Sequence, residues 1–442
     1  MHNTSRSSTD FLSAFRTLIS NACLGAILRH HGPSKRSPAR VSASCIVKAL
    51  VFHLLRGTGT VTENLQLLHQ EKLSPSSMSE RRANLPFKVF QTILGSALRP
   101  KAQEKTHPEA FYKSWRLVGI DGTQFSVSNT PLILTNLTKA ASRRMKAAFA
   151  KVGAAVLVEL GVHNPLAVEI GQKEESEMVL SKRLLARLPA KCVAICDRYY
   201  GVGPFLALLV ERFAEVPGAF LLRVRGNIAP TFVKRLSDGS ALVSVKIGGG
   251  QAPIVVREIR GRVLRAKSRW VDVRFWTNFL DIEQYPAKEL LALYARRWEH
   301  ELVYRQIKVD MRQSALLKSH TVHTAAQEVA ALVLAHAIVA QSRIDVAAQA
   351  GCEVTRISFG KALAFVQSLW AVLAEGEGII NGKQSAALVE RAIFRLAQTI
   401  LPERRKRSCP RKVRQPVSSW PRLTENTYET GGIKYKVLKT YA

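Results

Sequence analysis

Acidic residues are scarce in this chain: 33 Asp and Glu stand against 65 Lys and Arg over 442 residues, a formal charge of +32. That imbalance points to a polyanionic partner, of which nucleic acid and anionic membrane are the two common kinds. Long apolar runs are missing too. The best, Val329 to Val339, is short, contains His336 and is followed at once by Gln341 and Arg343, so it reads as a buried helix and not as a bilayer span. Near the start, Arg16 interrupts the apolar residues and Asp10 precedes them, which is not the pattern of a signal peptide. The expectation is a cytosolic protein with no membrane partner, and the polyanion is then nucleic acid. Cysteine is equally thin. Six residues (Cys23, Cys45, Cys192, Cys196, Cys352 and Cys409) are scattered without a Cys-x-x-Cys pair, which argues against a disulfide framework and a structural zinc site. Cys192 and Cys196 lie in an apolar, strand-like run and read as small core residues.

What is present is enough apolar sequence, 47%, to bury a sizeable core, and enough length for two or three domains. Residues 43–95 carry helical spacing with short breaks: around Cys45 to Leu55, around Glu63 to His69, from Pro75-Ser76-Ser77 to about Leu85-Pro86, and again from Phe87. The third of these holds Ser79, Glu80, Arg81 and Arg82, a composition that suits a recognition helix in a major groove. A basic solvent face on a helical bundle accounts for it equally well.

From Trp115 the period changes. Leu117 to Ile120, Ala154 to Leu160, Leu166 to Ile170 and Cys192 to Cys196 read as buried strands, with helical spacing over Glu174 to Leu188 and Phe205 to Phe213, an α/β layout with a mixed sheet. Then Phe220 to Val224, Ala241 to Ile247, Ile254 to Ile259 and Val271 to Leu280 form a β-rich block punctuated by Asp238-Gly239 and Gly248-Gly249-Gly250. Helical signals resume after Pro286 and extend from Ala325 to Gln398. Glu403 to Arg422 holds eight Lys/Arg against one acid and reads as a basic tail.

Asp121 ends the run Leu117 to Ile120, and Asp197 ends Cys192 to Cys196. Carboxylates at the carboxyl ends of buried strands sit where open α/β sheets place their sites, although either one alone is more simply a turn or cap residue. A third acid makes the pair informative. Tyr294, Arg297, Glu301 and Lys308 fall, at about 100° per residue, within an arc of roughly 60° on one helix face, flanked by Trp298 and Arg305. Simple i±4 pairing of Glu301 with Arg297 and Arg305 explains the charges. It leaves unexplained the two aromatics on that face and the apolar Leu291, Leu302, Val303 and Ile307 on the others. An acid ringed by Arg, Lys and aromatics suits a phosphodiester bound near a metal, because Mg²⁺ prefers hard carboxylate oxygens and keeps positions open for water and phosphate.

At these residues the chain resembles the DDE transposases of bacterial insertion sequences, in the subgroup with a Tyr-x2-Arg-x3-Glu-x6-Lys signature: Tyr294, Arg297, Glu301 and Lys308 match it without departure. Asp121-Gly122-Thr123 and Asp197-Arg198 agree with the two earlier acid motifs, and Arg407-Ser408-Cys409-Pro410-Arg411 with a common C-terminal element. The departure is Tyr199-Tyr200, where many relatives carry a Gly. The resemblance implies a ribonuclease H-like mixed sheet with a β-rich insertion, preceded by a helical DNA-binding region and followed by a helical C-terminal region. It divides the chain into 1–110 (helical, DNA-binding), 111–218 (catalytic, first part), 219–283 (insertion), 284–345 (catalytic, second part) and 346–442 (helical, with the tail). It implies Asp121, Asp197 and Glu301 as catalytic metal ligands for Mg²⁺ or Mn²⁺, with Tyr294, Arg297, Trp298, Lys308, Arg198, Arg81 and Arg82 on DNA. The implied partners are terminal inverted repeats, target DNA and a second copy in a synaptic homodimer. A Trp of the insertion, Trp270 or Trp276, is a candidate to hold a flipped base, though core packing suits each singly. The rival readings are a nuclease of the same fold that hydrolyses without joining, and a domesticated or inactive copy that only binds DNA; the latter is expected to have lost an acid.

Overall fold

The structure is a computed structural model and describes residues 11–33, 41–139, 147–265, 269–312, 314–376 and 379–402. The basic tail, the 407–411 element and Cys409 lie outside the described residues, as does the side chain of Trp270.

Among the described residues eleven strands join in one mixed sheet: β1 (Phe111–Tyr112), β2 (Trp115–Val127), β3 (Ala150–Glu159), β4 (Asn164–Ile170), β5 (Cys192–Cys196), β6 (Gly218–Arg223), β7 (Thr231–Arg235), β8 (Ala241–Val245), β9 (Ile254–Arg265), β10 (Arg269–Thr277) and β11 (Leu316–Leu317). Along the sheet the order is β4-β3-β2-β5-β6-β10-β9-β8-β7, with β1 and β11 on β2. β2, β3 and β4 are antiparallel neighbours, whereas β5 and β6 run parallel to β2 after helical crossovers. The sequence reading grouped Phe220 to Val224 with the β-rich block. β6 instead pairs in parallel with β5, and the block that follows, β7 to β10, returns through β10 as an antiparallel neighbour of β6. That reading also passed over β7, whose residues are all exposed and so carry no apolar alternation. Among the described residues β7 pairs with β8 alone, leaving its outer edge open, with Phe232 and Val233 uncovered.

Alternation along the strands divides the core into two layers, as a sheet buried on both faces requires. Leu117, Val193, Ile195 and Leu221 face a layer built on the helix Val322–Ala350 and the N-terminal helices. Val118, Ile120, Ala194, Cys196 and Leu222 face the other layer, which holds the helices Glu177–Leu184 and Gly203–Glu215. Val322–Ala350 is, among the described residues, the one helix long and apolar enough to cross a bilayer, and most of it is buried inside the protein. It packs against Ala43–Arg56 and Phe87–Ala97 and carries the expected run Val329 to Val339 through the core. Cys192 and Cys196 are buried and unpaired, and burial pushes both thiols up, Cys192 to about 12.

Two further helices, Phe11–Leu18 and Asn21–His31, precede the segment in which the sequence showed helical spacing. The helix Pro75–Ala83, capped by Ser74 with Pro75 in its first turn, forms as expected. Its arginines turn inward. Arg82 is held by Gln327 (3.2 Å), Ser319 (2.8 Å) and the Thr324 carbonyl (2.6 Å), 3.8 Å from Glu328; Arg81 donates to the Val41 carbonyl at 3.0 Å. The exposed residues here include Ser79 and Glu80. Arg82 therefore joins two helices instead of facing a DNA groove, a correction to the recognition-helix reading.

Candidate active site

Asp121 and Asp197 stand side by side at the point where two parallel strands part. The last matched pair between β2 and β5 is Ile120 with Cys196, and the aspartates follow on each strand. β5 ends there; β2 continues to Val127, so Asp121 lies inside a longer strand than its apolar run suggested. One oxygen of Asp121 accepts from the Gly122 amide at 2.9 Å, and one of Asp197 from the Tyr199 amide at 2.6 Å.

Two glycines in β2 let the flanking layers come close. A Cβ on Gly119 would lie 2.8 Å from the ring of His300, whose Nε2 sits 3.0 Å from the Val156 carbonyl. That contact docks the helix Trp298–Arg305 on the sheet, aided by the Tyr304 hydroxyl donating to the Asp121 carbonyl at 2.5 Å. On the opposite face, a Cβ on Gly122 would lie 2.1 Å from Cγ of Glu177. Glu177 is an acid that the sequence reading did not single out, because it looked like the start of an ordinary helix.

Glu301 reaches this place through Arg297, whose guanidinium bonds Glu301 at 2.5 Å and lies 3.7 Å from Asp121. The segment around them is not the uniform helix that the spacing predicts. Tyr294–Arg297 winds as a 3₁₀ turn, Trp298–Arg305 as α-helix, and Gln306–Asp310 as a π turn. Over-winding before Glu301 and under-winding after it both move the flanking Tyr294 and Lys308 off the positions that a single helical pitch would give them. The π turn starts at buried Gln306, which donates to His163 at 3.1 Å and accepts from His336 at 2.9 Å. Lys308 points over the Phe125 ring, 5.3 Å from its centre. Tyr294 packs on Phe275 with ring centres 4.4 Å apart, and Trp298 is 38% exposed.

Asp121, Asp197 and Glu177 share a cleft of about 890 Å³ with Arg198, Tyr199, Arg223, Arg225 and Arg274. The lining thus combines carboxylates, Asp272 among them, with four guanidinium groups, a composition that suits a phosphodiester with a bound cation. Burial, together with Asp197 and then Glu177, pushes the Asp121 carboxyl up to about 7, against the opposing pull of Arg297 and the Gly122 amide. Burial, with Arg312 and Lys151 nearby, pulls the Lys308 ammonium down to about 8. Trp276 is fully buried, its indole N–H donating to Glu258 at 3.1 Å, so it packs in the core and has no face free for a base.

A family model described as transposase DDE domain matches residues 116–338, just over half of the chain and inclusive of Asp121, Asp197 and Glu301. The transposase InsG for insertion sequence element IS4 of Escherichia coli (strain K12) is 24% identical over 397 residues, covering 88% of this chain and 87% of that relative. Among solved structures, a chain of the cryo-EM piggyBac transposase synaptic complex with hairpin DNA is similar over 97% of this chain and 92% of its own, at 13% identity and a TM-score of 0.46. With the family model spanning the strands and the helix that carry these acids, the chain belongs to the DDE transposase family.

Proposed function

We propose that this protein is the transposase of an insertion sequence, which binds the element's terminal inverted repeats, cleaves DNA and joins the freed end to target DNA. The observation that carries the reading is the meeting of Asp121 and Asp197 on one cleft lined by arginines, with Glu301 tied to Asp121 through Arg297. The same reading takes the sheet β4-β3-β2-β5-β6 as a ribonuclease H-like core, residues 1–110 as a helical DNA-binding region, β7 to β10 as an insertion and residues 346–442 as a helical C-terminal region. It places the enzyme in the cytosol beside its DNA, as a homodimer when two ends are synapsed.

Among the described residues no three His, Cys, Asp or Glu side chains are grouped closely enough to enclose an ion as they stand. The donor set nevertheless fits Mg²⁺ or Mn²⁺, since the hard carboxylates of both strands face an open cleft and that of the helix is joined to them by one shared arginine. Asp121, Asp197 and Glu301 would hold it. A divalent pair at such a site supplies an activated nucleophile and stabilises the leaving oxygen in an in-line displacement. The chain's own part is positional. Arg297 and Lys308 share the Glu301 segment and would pair with phosphates beside the cut, with Tyr294 and Trp298 alongside, while Arg198 in the cleft wall would meet the same backbone. Lys308, losing charge near pH 8 in the free protein, regains it next to phosphate.

The test pairs two measurements on Asp121→Asn, Asp197→Asn and Glu301→Gln: repeat-end binding and Mg²⁺-dependent nicking. Retained binding with nicking abolished supports the reading. Folded variants that nick at near wild-type rates overturn it. A strand-transfer assay with a pre-cut end separates a transposase from a hydrolytic nuclease of the same fold.

A further inference from the structure

We infer that Glu177 is a fourth acid of this centre, an oxygen donor to the same divalent ions, aimed into the cleft by Tyr200. The inference rests on the three-acid reading above and extends it to the opposite layer of the sheet.

Glu177 is the first residue of its helix, which Ser176 caps and which Leu180 and Leu184 anchor in the second core layer. From there its side chain lies across β2 in the space that a Cβ at position 122 would fill, 2.1 Å from Cγ and 2.6 Å from Oε2. Asp121 is the preceding residue, and both acids line one cleft. Gly122 thus makes room within the strand: any larger residue there would evict the Glu177 carboxylate.

Oε1 is fixed. The Tyr200 hydroxyl donates to it at 2.7 Å and lies 2.8 Å from the Ser181 hydroxyl, and Tyr200 itself is fully buried, so this phenol has nowhere else to satisfy its hydrogen bonds. The departure from the family pattern at Tyr199-Tyr200 therefore supplies the residue that orients Glu177. Oε2 has no hydrogen-bond partner among the described residues, and no Lys, Arg or His there pairs with either oxygen. Several enclosed acids of this arginine-rich chain are neutralised by the protein. Glu159 receives Arg116 and the amides of Lys101 and Ala102; Glu258 receives Arg260 and Arg274; Glu328 lies by Arg82; Asp238 takes Arg257. Glu177 and Asp197, on one cleft, have no such cation among the described residues. A carboxylate held by one oxygen, with the other free and uncompensated beside two aspartates, is the state that a divalent ion completes.

A structural role for Glu177 requires only an acceptor for Tyr200, which a glutamine provides. The full-length protein without DNA is titrated with Mn²⁺, free ion being read by electron paramagnetic resonance, and its metal-free melting midpoint is recorded. Glu177→Gln is expected to keep that midpoint and to weaken Mn²⁺ binding by about tenfold; Gly122→Ala follows it, and Glu177→Asp recovers part of the affinity. Equal loss in the Gln and Asp variants would mark a packing role and overturn the proposal. So would Mn²⁺ affinity within about twofold of wild type in Glu177→Gln. If Asp121→Asn loses the ion while Glu177→Gln keeps it, only the fourth acid falls. If Asp121→Asn also keeps it, the three-acid reading falls with it.

Discussion

The guanidinium of Arg297 sits between Asp121, 3.7 Å away, and Glu301, bonded at 2.5 Å, so a strand acid and a helix acid share one protein cation. A divalent ion at these carboxylates competes with that cation. Arg297→Gln should therefore raise Mn²⁺ affinity of the DNA-free protein by about fivefold, a half-exposed pair being worth up to roughly 1 kcal/mol. The same change should weaken repeat-end binding, where Arg297 is assigned to phosphate. Mn²⁺ titration with and without end DNA checks both signs; weaker Mn²⁺ binding in the variant would contradict the arrangement.

Asp121 gives a pH signature. Its carboxyl stands at about 7 in the folded protein because of burial and then of Asp197 and Glu177, against about 3.9 in an unfolded chain. A group whose folded value is raised stabilises the fold while it is protonated, so this contribution is full below about pH 4 and is lost as pH rises through about 7. In chelator, the denaturation midpoint should fall over that window, and Asp121→Asn should flatten the fall. Metal binding at pH 6 should release protons that binding at pH 8 does not, which calorimetry in two buffers detects.

Lys308 carries the opposite dependence. Burial and its cationic neighbours hold its ammonium at about 8, so the free protein loses this charge as pH climbs past that value. Repeat-end affinity should drop between pH 7.5 and about 9 and take up a proton on binding. Lys308→Arg stays charged throughout and should abolish the dependence, while still cutting poorly because a planar fork does not replace a compact ammonium. An unchanged pH profile in that variant would remove Lys308 from the phosphate contact.

Arg82→Ala is now a stability experiment. The side chain is spoken for by Gln327, Ser319, Thr324 and Glu328, and its removal strands Glu328 in a largely buried position. The expected cost is about 3 kcal/mol, read as a lower denaturant midpoint, with sequence preference on DNA unchanged per folded molecule. Arg81→Ala, which loses one bond to the Val41 carbonyl, should cost about 1 kcal/mol.

The strand acids were legible because an apolar run that stops at Asp is visible without tertiary information, and both β2 and β5 follow such runs. The Glu301 segment was legible from the spacing of four unlike side chains. Its winding was not: a helical wheel assumes one pitch, and the π turn depends on Gln306 meeting His163 and His336 from elsewhere in the chain. Glu177 stayed hidden because its meaning lies in a missing atom at Gly122, on a strand distant in sequence. The inward turn of Arg82 was hidden for a similar reason, since its partners lie on the long core helix Val322–Ala350 and its entry. Composition registers arginines as surface; only packing reveals which are not.

The uncovered edge of β7 bears on how the protein behaves in a tube. Phe232 and Val233 lie open on a strand with one unpaired side, a surface on which copies can stack by adding strand to strand. At low ionic strength the +32 charge keeps copies apart. The salt needed to strip bound nucleic acid during purification shortens the reach of that repulsion to a few ångströms. Clean preparations and monodisperse ones thus pull against each other, and a lysine at Phe232, far from the acids, is the place to relieve the tension.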